Sequence, residues 1–242
     1  MADFFEKQYE IHTFDFDVHK TVRKTTLLNY LQDISTLHYA HVTGGWGDDA
    51  VWVIVEWDIE FLKPMDKVQT VTVRTKPTYF RKFIGYRTYE ILDQTGDITL
   101  RAISKWAYIN YETRRQETIP QRLYDLFKVA TLGEKPGKLE GMDFKLETPS
   151  ISKFRSEFSD IDINAHVNNV AYLKWALDSL PMSLMKSKAI SRLRVTYKRE
   201  IFHDSEIIVE SEISEDETLH SIKNDSGEEC VKLRINWKDS LC

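Results

Sequence analysis

The sequence predicts an α+β fold in which one pattern, a strand, a helix and then four strands, is laid down twice. Three observations predict it. Apolar residues fall at helical spacing in two places, Leu27, Leu31 and Ile34, and again Val170, Leu173, Leu177 and Leu180. After each stripe come segments that alternate apolar and polar residues, as half-buried strands do. Between the halves, Thr131–Pro149 gathers Gly133, Pro136, Gly137, Gly141 and Pro149, the turn-forming chemistry of a linker.

Taken in order, Tyr9–His19 is rich in β-branched and aromatic residues and reads as a strand leading into the first helix, which should stop at Gly44-Gly45. Val51, Val53, Val55, Trp57, Ile59 and Phe61 then alternate along one long strand. Further strands are expected at Val68–Thr75, Phe83–Leu92 and Ile98–Asn110, with Asp93-Gln94-Thr95-Gly96 turning between the last two. In the second half Ser152–Phe158 reads as a strand, and the helix is stopped by Pro181. Strands follow at Arg192–Phe202, Glu206–Ile213, Thr218–Lys223 and Glu228–Trp237, the last entered through the turn Asn224-Asp225-Ser226-Gly227. The predicted boundaries are 1–132 for the first unit, 133–149 for the linker and 150–242 for the second. A long helix followed by an antiparallel meander buries well when the sheet curls round the helix.

Composition limits what such a fold can do. The 242 residues are 42% hydrophobic and 29% charged, enough for one large core or two smaller ones, which sets disorder aside. No apolar run reaches the roughly 18–20 residues of a membrane span. With 33 Lys+Arg against 38 Asp+Glu there is no overall basic field for nucleic acid, so an anionic partner must meet a local patch. Cys230 and Cys242 are the only cysteines, and Met1–Lys7 has no basic stretch followed by an apolar one. The expectation is an unprocessed cytoplasmic protein in a reducing compartment.

The richest stretch for chemistry is Asp160-Ile161-Asp162-Ile163-Asn164-Ala165-His166-Val167-Asn168-Asn169, between a strand and the second helix. In extended backbone, Asp162, Asn164 and His166 would present an acid, an amide and an imidazole on one face. The helix N-terminus follows at once, where Asn168 or Asn169 can cap and where N–H groups favour negative charge, a place to stabilise an oxyanion. Turn residues beside a satisfied histidine are the competing reading, and the pattern alone names no reaction.

At these residues the sequence resembles a family. Asp162-x-Asn164-x-His166-Val167-Asn168-Asn169, followed by Tyr172, Trp175 and Leu180-Pro181, is similar to the active-site segment of the acyl-ACP thioesterases, double hotdog enzymes that release fatty acids from acyl carrier protein. Trp106-Ala107-Tyr108-Ile109-Asn110-x-x-Thr113-Arg114-Arg115, with Ile119-Pro120 after it, resembles the family's Asn-x-x-Thr-Arg-Arg signature. Tyr9-Glu10-Ile11, Leu31-Gln32-Asp33 and His38 match its opening strand and first helix, so the resemblance runs from about Tyr9 to Trp237.

The resemblance implies two tandem hotdog units, the first holding the acyl chain and the second the catalytic residues Asp162, Asn164, His166 and Glu200. Glu200 lies 34 residues after His166 and is expected on the first long strand after the second helix. Many plant members place a cysteine directly after this glutamate, and here the residue is Ile201, so a cysteine nucleophile is not on offer and a carboxylate with water remains. In that hypothesis Glu200 takes the proton of the attacking water, Asp162 holds His166 or orients the water, and Asn164 with helix N–H groups faces the thioester oxygen. Asn168, Asn169, Trp46, Arg114 and Arg115 are candidate substrate-binding residues, Arg114-Arg115 being a basic patch for an acidic carrier. Neither metal nor organic cofactor is implied, and association into a homodimer stays open.

Other signals carry less. Gly45-Trp46-Gly47-Asp48-Asp49-Ala50 fits G-x-G-x-x-A but follows a helix and precedes a strand, the reverse of a dinucleotide fingerprint. His38 and His41, one helical turn apart, read as packing or capping rather than metal ligands. There is no G-x-S-x-G elbow. The rivals to acyl-ACP hydrolysis are an acyl-CoA thioesterase on the same fold, a non-catalytic acyl-binding module and a hotdog dehydratase, since fold does not fix function.

Overall fold

Two units make up the chain, Met1–Lys138 and Leu139–Cys242, and a computed structural model describes residues 3–45, 50–129, 136 and 141–240. In the first unit β1 (Phe5–Glu10) leads through a short 3-10 turn at Thr13–Asp15 to α1 (Lys24–Thr43). Then come β2 (Ala50–Phe61), β3 (Thr70–Arg81), β4 (Ile84–Leu92), β5 (Ile98–Asn110) and a short α2 (Gln121–Leu126) that the sequence pattern did not reveal. The strands hydrogen-bond in the order β1-β3-β4-β5-β2, and the pairs with resolved register are antiparallel.

The second unit repeats the plan. It runs β6 (Ser150–Arg155), a 3-10 turn at Phe158–Asp160, α3 (Asn169–Asp178), α4 (Met182–Ser187), β7 (Lys188–Tyr197), β8 (Glu206–Ile213), β9 (Glu217–Lys223) and β10 (Glu229–Asp239). Its strand order, β6-β8-β9-β10-β7, is that of the first unit position for position. The duplication expected from the sequence is therefore present in the topology.

Each helix lays its apolar stripe on its own sheet. Leu27, Leu28, Leu31 and Ile34 of α1 are buried, and the helix packs against β1 and β3. Gly44 ends it at φ 80°, the left-handed cap that glycine adopts without a Cβ penalty, its N–H donating to the Ala40 carbonyl at 3.0 Å. In α3, Tyr172, Leu173, Trp175 and Ala176 are buried against β8, β9 and β10. Removing a large apolar side chain of this kind from water contributes about 1.5–3 kcal/mol. The first core also takes in polar groups. His38 stacks on Phe5 at 4.9 Å, and its Nδ1 lies 2.5 Å from the buried Arg87 guanidinium, so packing is its role.

Several expected boundaries move, for local reasons. The Tyr9–His19 strand shrinks to the end of β1 at Glu10, because Asp15 accepts the His12 N–H and Asp17 accepts the His19 and Thr21 N–H groups, doing the work of a partner strand. Ser152–Phe158 likewise ends as β6 at Arg155. Val68–Thr75 extends instead to Arg81 through Pro77, which is tolerated because β1 covers β3 only as far as Thr75 and the register shifts between Pro77 and Tyr79. Arg192–Phe202 starts earlier and stops at Tyr197, since the Lys198 and Arg199 N–H groups both turn to the Cys230 carbonyl. Of the expected linker, the described residues 141–149 belong to the second unit, where Met142 and Phe144 are buried and Lys232 donates to the Phe144 carbonyl at 2.6 Å.

Candidate active site

The segment between β6 and α3 is a tight turn rather than an extended run. Asp162 N–H donates to the His166 carbonyl at 2.9 Å, Ala165 N–H returns to the Asp162 carbonyl at 3.0 Å, and Ala165 takes φ 62°. The Asp162 carboxylate accepts the Asn164 N–H at 2.8 Å, an Asx turn, and Asn164 Nδ2 reaches its other oxygen at 3.5 Å. The alternating face expected for Asp162, Asn164 and His166 is thereby replaced. Asp162 and Asn164 hold each other, Asn164 is exposed, and the imidazole is carried round the turn to a different partner.

That partner is Glu200. His166 Nε2 lies 3.4 Å from Glu200 Oε2, with side chains 22% and 36% exposed, so the pair is half-buried yet open to water. Glu200 stands in the loop after β7, not on the strand where it was expected. Lys198 is paired with Glu229, and Arg199 with Glu228 at 3.4 Å, so these neighbouring cations are drawn toward β10 while Glu200 meets the imidazole. The Asp162 carboxylate engages Asn164, while the His166 imidazole engages Glu200.

The two loops are joined by backbone. Val167 N–H donates to the Ile201 carbonyl at 3.0 Å, and Asn168 N–H donates to the Asp160 carbonyl at 2.8 Å. Asn168 caps α3 as expected, its Oδ1 accepting Val170 N–H at 2.9 Å, while its carbonyl accepts Ala171 N–H. Those two helix donors are therefore committed, and the Asn164 side chain, two residues before His166 in the turn, is exposed. Asn169 opens the helix, its carbonyl accepting the Tyr197 hydroxyl at 3.0 Å.

Other expected residues lie elsewhere. Asn110 ends β5 and builds the turn after it, accepting Glu112 and Thr113 N–H groups on Oδ1, which gives the Asn-x-x-Thr-Arg-Arg stretch a structural reason. Arg114, at φ 57°, and Arg115 are exposed on that turn in the first unit. Trp46 lies outside the described residues, as does Cys242. Cys230 is buried, and burial pushes its thiol up from its ordinary value, which suits an inert core residue. Sequence reasoning missed Phe202, whose ring lies 5.1 Å from that of His166 while remaining 57% exposed. No periodic signal marks it, because it sits in a loop that only the folded chain brings to His166.

Fold and site together define a double hotdog protein with an imidazole–carboxylate pair in its second unit. The models of the acyl-ACP thioesterase N-terminal and C-terminal domains match residues 2–127 and 144–239. The chain belongs to the acyl-ACP thioesterase family, as its motifs led one to expect. It is 26% identical over 262 residues to a chloroplastic palmitoyl-acyl carrier protein thioesterase of Gossypium hirsutum, covering 97% of this chain and 63% of that one. Among solved structures it superposes on a Lactobacillus plantarum protein described as an oleoyl thioesterase, with a TM-score of 0.91 and 22% identity over 98% of this chain and 97% of the other. The 12:0-ACP thioesterase of Umbellularia californica gives 0.85 and 22% over 98% of this chain and 98% of the other. The chain spans 60–63% of the length of the first curated relatives it matches.

Proposed function

We propose that the protein hydrolyses the thioester of fatty acyl-ACP, releasing free fatty acid and holo-carrier in fatty acid biosynthesis. The observation that carries this reading is the His166–Glu200 pair, 3.4 Å apart and reachable by water, in a chain of this family. Glu200 takes a proton from water as its oxygen attacks the thioester carbon. Asn164 Nδ2 faces the carbonyl oxygen as negative charge gathers there, and collapse of the adduct breaks the C–S bond. The thiolate is a good leaving group and takes a proton from His166, which Glu200 replaces with the proton it took from water, so both groups return to their starting states and one water gives one acid and one thiol. Asp162, Asn164, His166 and Glu200 are the catalytic set of this proposal, with Asp162 orienting Asn164.

The first unit is proposed to hold the acyl chain, and the exposed Arg114-Arg115 turn to meet an acidic carrier. The relatives named above carry palmitoyl, oleoyl and 12:0 groups in their descriptions, so no single chain length is carried over. A cytoplasmic site of action fits the low cysteine content and the buried Cys230, and is part of the proposal.

The test is release of fatty acid and carrier thiol from a series of acyl-ACPs of increasing length, beside the matching acyl-CoAs, at several salt concentrations. The expected result is hydrolysis of acyl-ACP with KM rising steeply with salt, and a loss of about 10²–10⁴ in kcat in Glu200→Gln. Hydrolysis of acyl-CoA alone would move the protein to the rival thioesterase class, and tight acyl binding without turnover would make it a binding module.

A further inference from the structure

Between the two reacting groups of the proposed site sits one residue, Ile201, whose backbone is held from both sides. Its carbonyl accepts Val167 N–H at 3.0 Å, next to His166, and its N–H donates to the Tyr172 hydroxyl at 3.2 Å, next to Glu200. Ile201 and Tyr172 are each 2% exposed. Tyr197, the last residue of β7, donates its hydroxyl to the Asn169 carbonyl at 3.0 Å and so ties the strand end to the start of α3. The two phenol rings meet edge to face at 5.8 Å. Burial pushes both phenols up from their ordinary value, and the Glu200 and Asp162 charges add to the effect at Tyr172, so both hydroxyls keep their protons.

The first unit supplies the internal control. Val22 N–H donates to the Met65 carbonyl at 3.0 Å, the same link between the same two loops. Leu27 follows Val22 by the interval at which Tyr172 follows Val167, and Phe61 ends β2 as Tyr197 ends β7, each four residues before the linked carbonyl. Both are buried, and neither has a hydroxyl. The duplicated scaffold therefore forms without these two hydrogen bonds. They occur in the unit that places a carboxylate against an imidazole.

We infer that Tyr172 and Tyr197 are positioning residues that hold Glu200 against His166, Tyr172 through the Ile201 amide and Tyr197 through the Asn169 carbonyl. The role rests on the proposed reading of the pair. Without the Tyr172 hydroxyl the buried Ile201 N–H must stay unpaired or turn toward water, and Glu200, one residue away, turns with it. A misplacement near 1 Å costs on the order of a hundredfold in rate where geometry is demanding.

Tyr172→Phe and Tyr197→Phe remove only the hydroxyls, and Thr99→Val, which removes a buried hydroxyl bonded to the Ile91 carbonyl in the first unit, controls for general destabilisation. The expected result is a fall in kcat of about tenfold or more in Tyr172→Phe and a smaller one in Tyr197→Phe, with KM for acyl-ACP within about twofold and Thr99→Val at the wild-type kcat. A readout independent of turnover is NMR. The Ile201 amide should exchange about tenfold faster in Tyr172→Phe, and the His166 ring signals should show microsecond–millisecond exchange in both tyrosine variants but not in Thr99→Val. Wild-type exchange at Ile201 and a quiet His166 ring in both variants would overturn the inference. Absence of turnover in the wild type would instead overturn the reading of the activity, and the NMR arm would still decide the clamp.

Discussion

Ahead of α1, Asp17 accepts the His19 N–H at 2.9 Å, Lys20 takes φ 58°, and Arg23 N–H donates to the Asp15 carbonyl at 2.8 Å. Ahead of α3, Asp162 accepts the Asn164 N–H at 2.8 Å, Ala165 takes φ 62°, and Asn168 N–H donates to the Asp160 carbonyl at 2.8 Å. Asp15 and Asp160 even cap their 3-10 turns alike, each accepting the N–H three residues before it. What differs is a handful of side chains. Thr21 stands where the second turn has His166, His19 where it has Asn164, and Pro64 where it has Glu200. The first turn shows that this backbone forms with neither an imidazole nor a glutamate at those positions, which is consistent with the catalytic role proposed for His166 and Glu200. It also demonstrates that the aspartate belongs to the turn in both copies.

The sharpest way to break the comparison is to strip the charge from both aspartates. Asn can keep accepting the turn N–H through its own Oδ1, so Asp17→Asn and Asp162→Asn should each cost no more than about 1 kcal/mol of stability. Their activities should part. Asp17→Asn should leave kcat at the wild-type level, and Asp162→Asn should lower it about a hundredfold, because the carboxylate that fixes the Asn164 amide is lost beside the reacting pair. Paired kinetics and urea melts check this. Equal kcat in the two variants would make Asp162 a turn residue only and remove it from the catalytic set.

The same pair of turns explains what the sequence disclosed. Strands with a sheet partner on each side announced themselves by alternation, and Ile98–Asn110 has the bounds expected of it. Tyr9–His19 and Ser152–Phe158 read as strands beyond the observed ends at Glu10 and Arg155 for one reason. Asp15, Asp17 and Asp160 answer backbone N–H groups with side-chain oxygens, a local bond that leaves no periodic trace. The alternation of Asp162, Asn164 and His166 failed in the same way, since an Asx turn has the composition of a polar strand. Pattern and resemblance could name His166 and Glu200, but their meeting depends on where β7 ends. That end is set by the Cys230 carbonyl on β10, a contact with no local signature. The tyrosine hydroxyls were legible as residues and illegible as bonds.

Each unit also buries one imidazole, and burial is the main cause of the acid response in both. Burial lowers His38 to about 3, with the Arg87 guanidinium at its Nδ1 and His41 adding to the effect. Burial alone lowers His220 to about 3, its ring nitrogens bonded to the Ser211 and Thr218 hydroxyls. An unfolded histidine titrates near 6.5, so between about pH 6.5 and 3 the unfolded chain binds more protons than the folded one. Stability from these groups is complete above about pH 6.5 and falls below it, by at most about 1.4 kcal/mol per pH unit for each. Urea unfolding from pH 7.5 to 4.5 should show this slope, reduced by about one proton in His38→Gln and again in His220→Gln. An unchanged slope in either variant would mean that the imidazole is charged in the folded state, and the likeness between the cores would fail there.

The smallest expected effect separates scaffold from site most finely. Lys20 and Ala165 occupy the left-handed region, which costs an L residue roughly 1–2 kcal/mol. Glycine escapes that cost but loses about 0.5–1 kcal/mol more chain entropy on folding, so Lys20→Gly and Ala165→Gly should each gain up to about 1 kcal/mol. If the turns are equivalent supports, both variants should melt higher and both should keep kcat within about twofold, because the Asp160 and Asp162 bonds still set the path of the chain. A different outcome is informative in one direction only. Should Ala165→Gly gain stability yet lose tenfold or more in kcat, while Lys20→Gly loses nothing, the stiffness of the second turn would itself be aiming His166 at Glu200. The two turns would then share a shape while only one of them needs to be rigid.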